Sequence, residues 1–304
     1  MDEQALQQEV LDDLEGWATA LGPTLAAAWR TLRQRLRMDQ PPGYFLHPLA
    51  LPVLQLPAWV GQGPASAAPE RVRAAVASAA AGYLGVRILD DLLDEGIDAG
   101  PATWMLAQAL LARHHALAGS VALDCPAWHA LSAQRWGAFA EAMAHEATLP
   151  SDQPVDAARF SALLQRSGPL VLPPAALLMP VAPALLPALC ALVDDLAHSH
   201  QLFTDAIDAE KDLRNGNRSQ VLDRMGARNG PEEVRRRLYL EGGLDQVFAE
   251  ATGLLESARA HARTLGLAPA LPWLDRRLRT MEEVRQQAFA ALFRVLIGDL
   301  SPNR

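Results

Sequence analysis

Several features that mark familiar protein classes are scarce in this chain of 304 residues. Its two cysteines, Cys125 and Cys190, are far apart and lack metal-ligand spacing, so we expect two reduced side chains and neither a zinc site nor a disulfide framework. No run of about 18 uninterrupted apolar residues occurs, which argues against a transmembrane helix. The first residues, Met1 to Gln4, lack a basic segment followed by an apolar one, so we predict no secretory signal and a cytoplasmic protein.

An excess of positive charge is also missing. The formal net charge is -8 at pH 7, and binding along a nucleic-acid backbone needs clustered cations, so we expect no nucleic-acid partner. Half of the residues are apolar, and their spacing is helical throughout, with no convincing strand. The sequence therefore predicts an all-α fold class, with residues 1–304 forming a single domain of about ten to twelve helices.

The most informative stretch is a run of acids inside an apolar helical pattern. Asp90, Asp94 and Asp98 recur every four residues, so on a helix they form one stripe with Asp91 beside it; we call these four residues the first ladder. Between Ile88 and Ala102 there is no Lys, Arg or His, and like charges at this spacing repel. Mg²⁺ offsets such charge, because it binds one or two carboxylates together with water and phosphate oxygens. The alternative is a solvated acidic helix end, against which the interleaved leucines argue.

A second polar stripe follows more than a hundred residues later. Thr204, Asp208 and Asp212 again recur every four residues, and Asp205 is next to the first; we call these four residues the second ladder. Facing helices of a bundle can build a metal site between them. The two ladders therefore predict one shared site.

These two stretches carry a resemblance to a known superfamily. Asp90-Asp91-x-x-Asp94 is similar to the first aspartate-rich motif of the trans-isoprenyl diphosphate synthases and class I terpene synthases. The stretch from Gln201 to Asp212 resembles their second motif, with Thr204 where Asp or Asn is usual. The resemblance implies the isoprenoid synthase fold, a helical bundle around a central cavity. The metal ligands that it implies are Asp90, Asp91, Asp94, Thr204, Asp205, Asp208 and Asp212.

A candidate for gripping a diphosphate lies between the two ladders. Gly168-Pro169 should break a helix there, and Arg166-Ser167 just before it matches a basic residue and a small hydroxyl residue that hold diphosphate in the superfamily. A guanidinium fork suits phosphate oxygens, although an Arg-carboxylate pair elsewhere in the bundle is the alternative. Further diphosphate-binding candidates near the second ladder are Gln201, Lys211, Arg214 and Arg218.

The resemblance also implies a chemistry. Three Mg²⁺ ions, with Mn²⁺ as a substitute, would neutralise an allylic prenyl diphosphate and assist its departure, while apolar walls shelter the carbocation. Asp90, Asp94 and Arg166 are then the catalytic residues. The expected partner is this small-molecule substrate, with no membrane span, and a homodimer is compatible with the sequence.

The fate of the cation separates two enzymatic hypotheses. Chain-elongating relatives hold a second diphosphate with a Gly-Lys-Arg run near the N-terminus and an Arg-Arg pair after the first motif. The counterparts here, residues 39–44 and 96–102, contain no Lys or Arg. We therefore predict a class I terpene synthase, a lyase that ends by cyclisation with proton loss or by water capture. The alternatives are a prenyltransferase, either a polyprenyl diphosphate synthase or a head-to-head condensing enzyme, and a catalytically silent isoprenoid-binding subunit.

Overall fold

The computed structural model describes residues 2–94, 100–148, 155–217 and 219–299. Within these ranges the regular structure is helical, and no strand occurs. The α-helices are α1 Glu3–Ala20, α2 Pro23–Arg35, α3 Gln55–Gln62, α4 Pro69–Asp94, α5 Gly100–Ala122, α6 Pro126–Ala147, α7 Ala157–Leu163, α8 Leu172–Leu178, α9 Leu186–Ile207, α10 Ala209–Asn215, α11 Gln220–Arg224, α12 Pro231–Arg235, α13 Gly243–Thr264 and α14 Ala270–Asp299. The predicted all-α class is confirmed, and the helices exceed the predicted number because several are only five to seven residues long.

The most extensive helix–helix contacts join α4 to α5 and α9 to α13. Small residues let α4 and α5 approach closely: a Cβ placed on Gly85 would lie 2.9 Å from Leu111, and one on Gly82 would lie 2.6 Å from Nδ1 of His114. The core also takes in the fully buried side chains of Trp29 and Phe203. Close packing of this kind fixes α4, and with it the first ladder.

Prolines and glycines break the middle of the chain into shorter pieces. Residues 164–171 form a 3₁₀ helix that contains Gly168-Pro169, so the predicted break is confirmed. No single helix spans residues 175–192. The chain instead ends α8 at Leu178 and resumes through a short 3₁₀ turn, Pro183–Leu185, because proline has no N–H to donate to the preceding turn.

One helix of the described residues is long and apolar enough to cross a membrane. It is the Pro69–Leu92 part of α4, and 61% of its most apolar window is buried within the protein, as expected for a core helix. Both cysteines are free.

Candidate active site

A cavity of about 670 Å³ lies between α4 on one side and α9 and α10 on the other. Its volume is that of a typical small-ligand pocket. One part of the wall is charged and comes from both ladders, and another part is apolar and comes from α4, α8 and the segment before it. Further polar side chains, among them His114, His200 and Asn215, also line the cavity. The charged and polar ladder residues that line the cavity are Asp90, Asp91, Thr204, Asp205, Asp208 and Asp212, and the apolar ones include Leu51, Ala79, Val86, Leu163, Leu164, Leu170 and Pro173.

The first ladder occupies the last turns of α4. Asp91 is only 5% exposed, and its carboxylate forms ion pairs with two arginines. Its Oδ2 lies 2.5 Å from Nη2 of Arg35, and its Oδ1 lies 2.7 Å from Nη2 of Arg87. The stretch itself supplies no cation, and part of its charge is offset by arginines from outside it, one on α2 and one a turn upstream on α4. The backbone of Asp94 ends α4, but its side chain and all of Asp98 lie outside the described residues.

Arg166 extends from the 3₁₀ segment into the charged part of the cavity. Its Nη1 lies 2.5 Å from Oε2 of Glu146 and 3.5 Å from Oδ1 of Asp90. The structure thus brings Arg166 to the first ladder, and it does so as a member of an arginine-carboxylate cluster. A guanidinium at this position can donate hydrogen bonds to an anion that binds beside Asp90.

The second ladder spans a break between two helices. Thr204 and Asp205 belong to α9, which ends at Ile207, and Asp208 joins it to α10, which carries Asp212. The expected single straight helix is thus interrupted, although the amide of Asp212 still donates to the carbonyl of Asp208 at 2.9 Å. The hydroxyl of Thr204 lies 3.0 Å from the carbonyls of His200 and Gln201, so its proton is directed to the backbone and an oxygen lone pair is left for a ligand.

Two carboxyl groups of the second ladder, those of Asp205 and Asp212, have raised pKa values. Burial raises the pKa of Asp205 to about 7, and the neighbouring Asp212 and Asp208 charges add to the rise. A hydrogen bond of 2.6 Å from Nε2 of Gln201 opposes it. Burial also raises the pKa of Asp212, which Asn217 partly offsets by donating at 3.2 Å. A cation placed among these groups would relieve both penalties.

Of the remaining candidates for diphosphate binding, only some line the cavity. Gln201 and Lys211 line the cavity. Arg214 is exposed, donates to the carbonyl of Glu210 at 3.2 Å, and is not part of the cavity wall. Arg218 lies outside the described residues.

The donor set suits a hard divalent cation. In the described part of the chain no three His, Cys, Asp or Glu side chains are close enough together to hold a metal ion as they stand. Arginines engage the carboxylates of Asp90 and Asp91, and Gln201 engages Asp205. The available ligands are carboxylate and hydroxyl oxygens, which is the chemistry of Mg²⁺ and Mn²⁺ sites, and the raised pKa values mark carboxylates that lack compensation.

Sequence reasoning missed three cations at or near the cavity. Arg87 lines it, Arg35 reaches Asp91 from α2, and the buried Arg277 lies behind it and bonds to the cavity residue His200. A signal existed only for Arg35, which belongs to a basic cluster that also contains Arg30, Arg33 and Arg37.

Comparison with known proteins identifies the architecture. No protein-family model and no curated protein matches the chain. Two solved structures are similar over 93% of it. The geranylgeranyl pyrophosphate synthetase from the archaeon Geoglobus acetivorans has a TM-score of 0.64, is 13% identical and is covered over 99% of its length. The geranylgeranyl pyrophosphate synthase from Corynebacterium glutamicum has a TM-score of 0.61, is 16% identical and is covered over 93%. The chain therefore has the isoprenoid synthase fold.

Proposed function

We propose that the chain is a divalent-metal-dependent enzyme acting on prenyl diphosphates, and that it is a prenyltransferase, joining an allylic diphosphate to a second prenyl diphosphate. The observation that carries this proposal is that the cavity wall has a charged part and an apolar part. Carboxylates of α4, α9 and α10 and the guanidinium of Arg166 lie at one part of the wall, and apolar side chains of α4, α8 and the segment before α8 lie at another. Such a cavity suits a ligand with an anionic head and a hydrocarbon tail.

Two arginines beside the first ladder favour the binding of a second diphosphate substrate. Arg35 and Arg87 both bind Asp91, and Arg87 also lines the cavity. Arg35 comes from the N-terminal part of the chain, so a cation does reach the neighbourhood of the first motif although the expected Gly-Lys-Arg run is absent. This weakens the sequence argument for a one-substrate enzyme. The two similar structures are both prenyl diphosphate synthases, which points the same way.

The chain's own residues would contribute in four ways. Asp90, Asp91, Asp94, Thr204, Asp205, Asp208 and Asp212 are the proposed metal ligands, and bound Mg²⁺ would supply the positive charge that makes diphosphate a better leaving group. Arg166 would donate hydrogen bonds to the departing oxygens. Gln201 and Lys211, with Arg214 and Arg218 if they turn inward, would hold the diphosphate. The apolar wall would exclude water from the allylic cation until the second substrate attacks it.

A class I terpene synthase is the second candidate. Two observations favour it. The described residues that follow the first motif, Gly100 to Ala102, offer no cation. Arg33 pairs with Asp39 and Glu15 and does not line the cavity. In that case a single allylic diphosphate would be ionised and its cation would lose a proton or capture water.

Product analysis distinguishes the hypotheses. Geranyl, farnesyl and geranylgeranyl diphosphates are each incubated with the chain and Mg²⁺, with and without isopentenyl diphosphate. Longer diphosphates that form only with isopentenyl diphosphate support elongation, and a condensed product of two allylic molecules supports head-to-head coupling. Hydrocarbons or alcohols from one allylic substrate alone favour the terpene synthase. If no diphosphate is released under any condition, the enzyme proposal fails and the silent binding subunit takes its place.

Variants test the second diphosphate site directly. Arg35→Ala and Arg87→Ala should raise KM for isopentenyl diphosphate with little change in KM for the allylic substrate. Arg30→Ala is the matched control, because Arg30 lies on the same helix and is exposed. Equal effects on both substrates would count against this assignment.

A further inference from the structure

A buried cation without a carboxylate lies outside the proposed active site. Arg277 of α14 is 3% exposed, and within the described ranges no Asp or Glu lies at ion-pair distance from it. Its Nη1 donates to the carbonyl of Pro48 at 3.2 Å, its Nη2 donates to Nδ1 of His200 at 2.9 Å, and its guanidinium lies 5.7 Å from the Phe203 ring centre. Burying a charge without a counter-charge is costly, so the site calls for an anion.

The neighbouring histidine does not supply that counter-charge. Because a guanidinium can only donate, Nδ1 of His200 accepts the hydrogen bond and carries no proton, so the imidazole is uncharged. Burial lowers the pKa of Arg277 to about 10, which still leaves the guanidinium charged. The pair is therefore one cation and one neutral acceptor.

A pocket of about 230 Å³ opens beside Arg277. Two further arginines line it: Arg279 is exposed, and Arg276 pairs with Glu3 at 3.5 Å. Gln55 lines the same pocket, is 2% exposed, and its Oε1 has no hydrogen-bond partner among the described residues. The acids of the pocket are Glu3, already paired, and the exposed Glu283.

We propose that this pocket binds a small protonated oxyanion, of the hydrogen phosphate class, with Arg277 as its principal counter-charge. Arg277 has five N–H donors, of which the Pro48 and His200 bonds use two, and Arg279 adds a mobile cation at the mouth. Hydrogen phosphate also carries an O–H group, which the unpartnered Oε1 of Gln55 can accept. Sulfate matches the charge but has no proton to give at neutral pH, so it should bind more weakly.

The proposal does not depend on the reaction in the main cavity, and binding tests it directly. Thermal unfolding of the full chain is followed in metal-free buffer at pH 7 with increasing sodium phosphate or sodium sulfate at matched ionic strength. Phosphate should raise Tm in a saturable manner, and sulfate should raise it less. A local signal comes from 5-fluorotryptophan: the ¹⁹F resonance of Trp273, which lines the pocket and is assigned with Trp273→Phe, should shift along the same phosphate titration.

Variants separate this site from the main cavity. Arg277→Met should fold, should be at least as stable as the wild type without phosphate because an unpaired buried charge is removed, and should lose the phosphate-dependent rise in Tm. Arg263→Gln, at an exposed arginine of α13, should keep the rise, and so should Arg166→Gln in the main cavity. If Arg277→Met does not fold, Gln55→Leu serves instead and should abolish the preference for phosphate over sulfate.

Three results would overturn the proposal. They are a phosphate response that survives Arg277→Met, a response that Arg166→Gln removes while Arg277→Met does not, and equal effects of sulfate and phosphate on the wild type. A ¹⁹F resonance of Trp273 that does not shift with phosphate would also overturn the proposal.

Discussion

The guanidinium of Arg35 lies 2.5 Å from the carboxylate of Asp91, although 56 residues separate the two in sequence. Arg87 binds the other oxygen of the same carboxylate at 2.7 Å. The first ladder is thus partly neutralised by protein cations. A metal ion that binds there has to compete with them.

Removing Arg35 should therefore strengthen metal binding. Arg35→Ala is expected to raise the affinity for Mn²⁺ by up to about fivefold, because a partly exposed ion pair contributes roughly 0.2–1 kcal/mol. A Mn²⁺ titration followed by electron paramagnetic resonance measures it. Arg30→Ala, on the exposed face of the same helix, should leave the affinity unchanged. An unaltered affinity in Arg35→Ala would mean that Asp91 takes no part in metal binding.

Loss of a ladder carboxylate should abolish turnover without unfolding the chain. Asp90→Ala and Asp208→Ala each remove a proposed metal ligand from a group of like charges, so the loss of metal is accompanied by relief of repulsion. Asp94→Ala and Asp212→Ala should behave in the same way. Diphosphate release and far-ultraviolet circular dichroism are measured together. The control is Asp194→Ala, an exposed residue of α9 that pairs with Arg135. Near-normal release by Asp90→Ala would contradict the metal-site assignment.

Arg166→Ala should slow ionisation of the allylic substrate by about a hundredfold or more, the scale for losing one preorganised donor to a developing charge. Single-turnover measurements isolate this step. Arg224→Ala is the matched control, because Arg224 pairs with Glu250 away from the cavity wall. A rate within a few-fold of the wild type would leave Arg166 as a structural partner of Glu146 and Asp90.

The buried carboxyl of Asp205 should make stability depend on pH. Its pKa is about 7 in the fold and 3.8 without burial, so the ionised form is disfavoured in the folded state. The contribution of Asp205 to stability is complete below about pH 3.8 and is lost as the pH rises towards 7. The loss amounts to about 4 kcal/mol, since one pKa unit corresponds to about 1.4 kcal/mol.

Asp205→Asn removes this titration. Urea unfolding of both proteins in metal-free buffer should show a difference in unfolding free energy that shifts in favour of the variant between about pH 4 and 7 and then stays level. Burial lowers the pKa of His200 and of His114, which produces the opposite slope below pH 6.5, but both proteins share it. Asp194→Asn is the control. A difference that does not vary with pH would show that Asp205 is already ionised in the fold.

Local periodicity made the ladders predictable. Asp90 and Asp94, like Thr204 and Asp208, are four residues apart in the sequence, and helix geometry places residues at that spacing on one face. The break at Asp208 was not predicted, because nothing in the polar pattern changes there. The fold class followed from the same helical spacing together with the motif resemblance.

Contacts between distant segments could not be predicted in this way. The bonds from Arg35 to Asp91 and from Arg277 to His200 span 56 and 77 residues, and they depend on how whole helices pack. A guanidinium on a polar helix face looks the same in sequence whether it meets water or a carboxylate. For this reason the sequence does not single out Arg35 within its basic cluster.

Lys211 is the single lysine of the chain, and it lines the cavity from α10. Apart from the α-amino group, an amine-reactive label consequently has one target in the entire protein. A diphosphate held near the second ladder would shield that amine, so the labelling rate reports occupancy of the cavity in the intact protein. Ligands of any chain length can be ranked by that rate alone, before a product of the reaction is known.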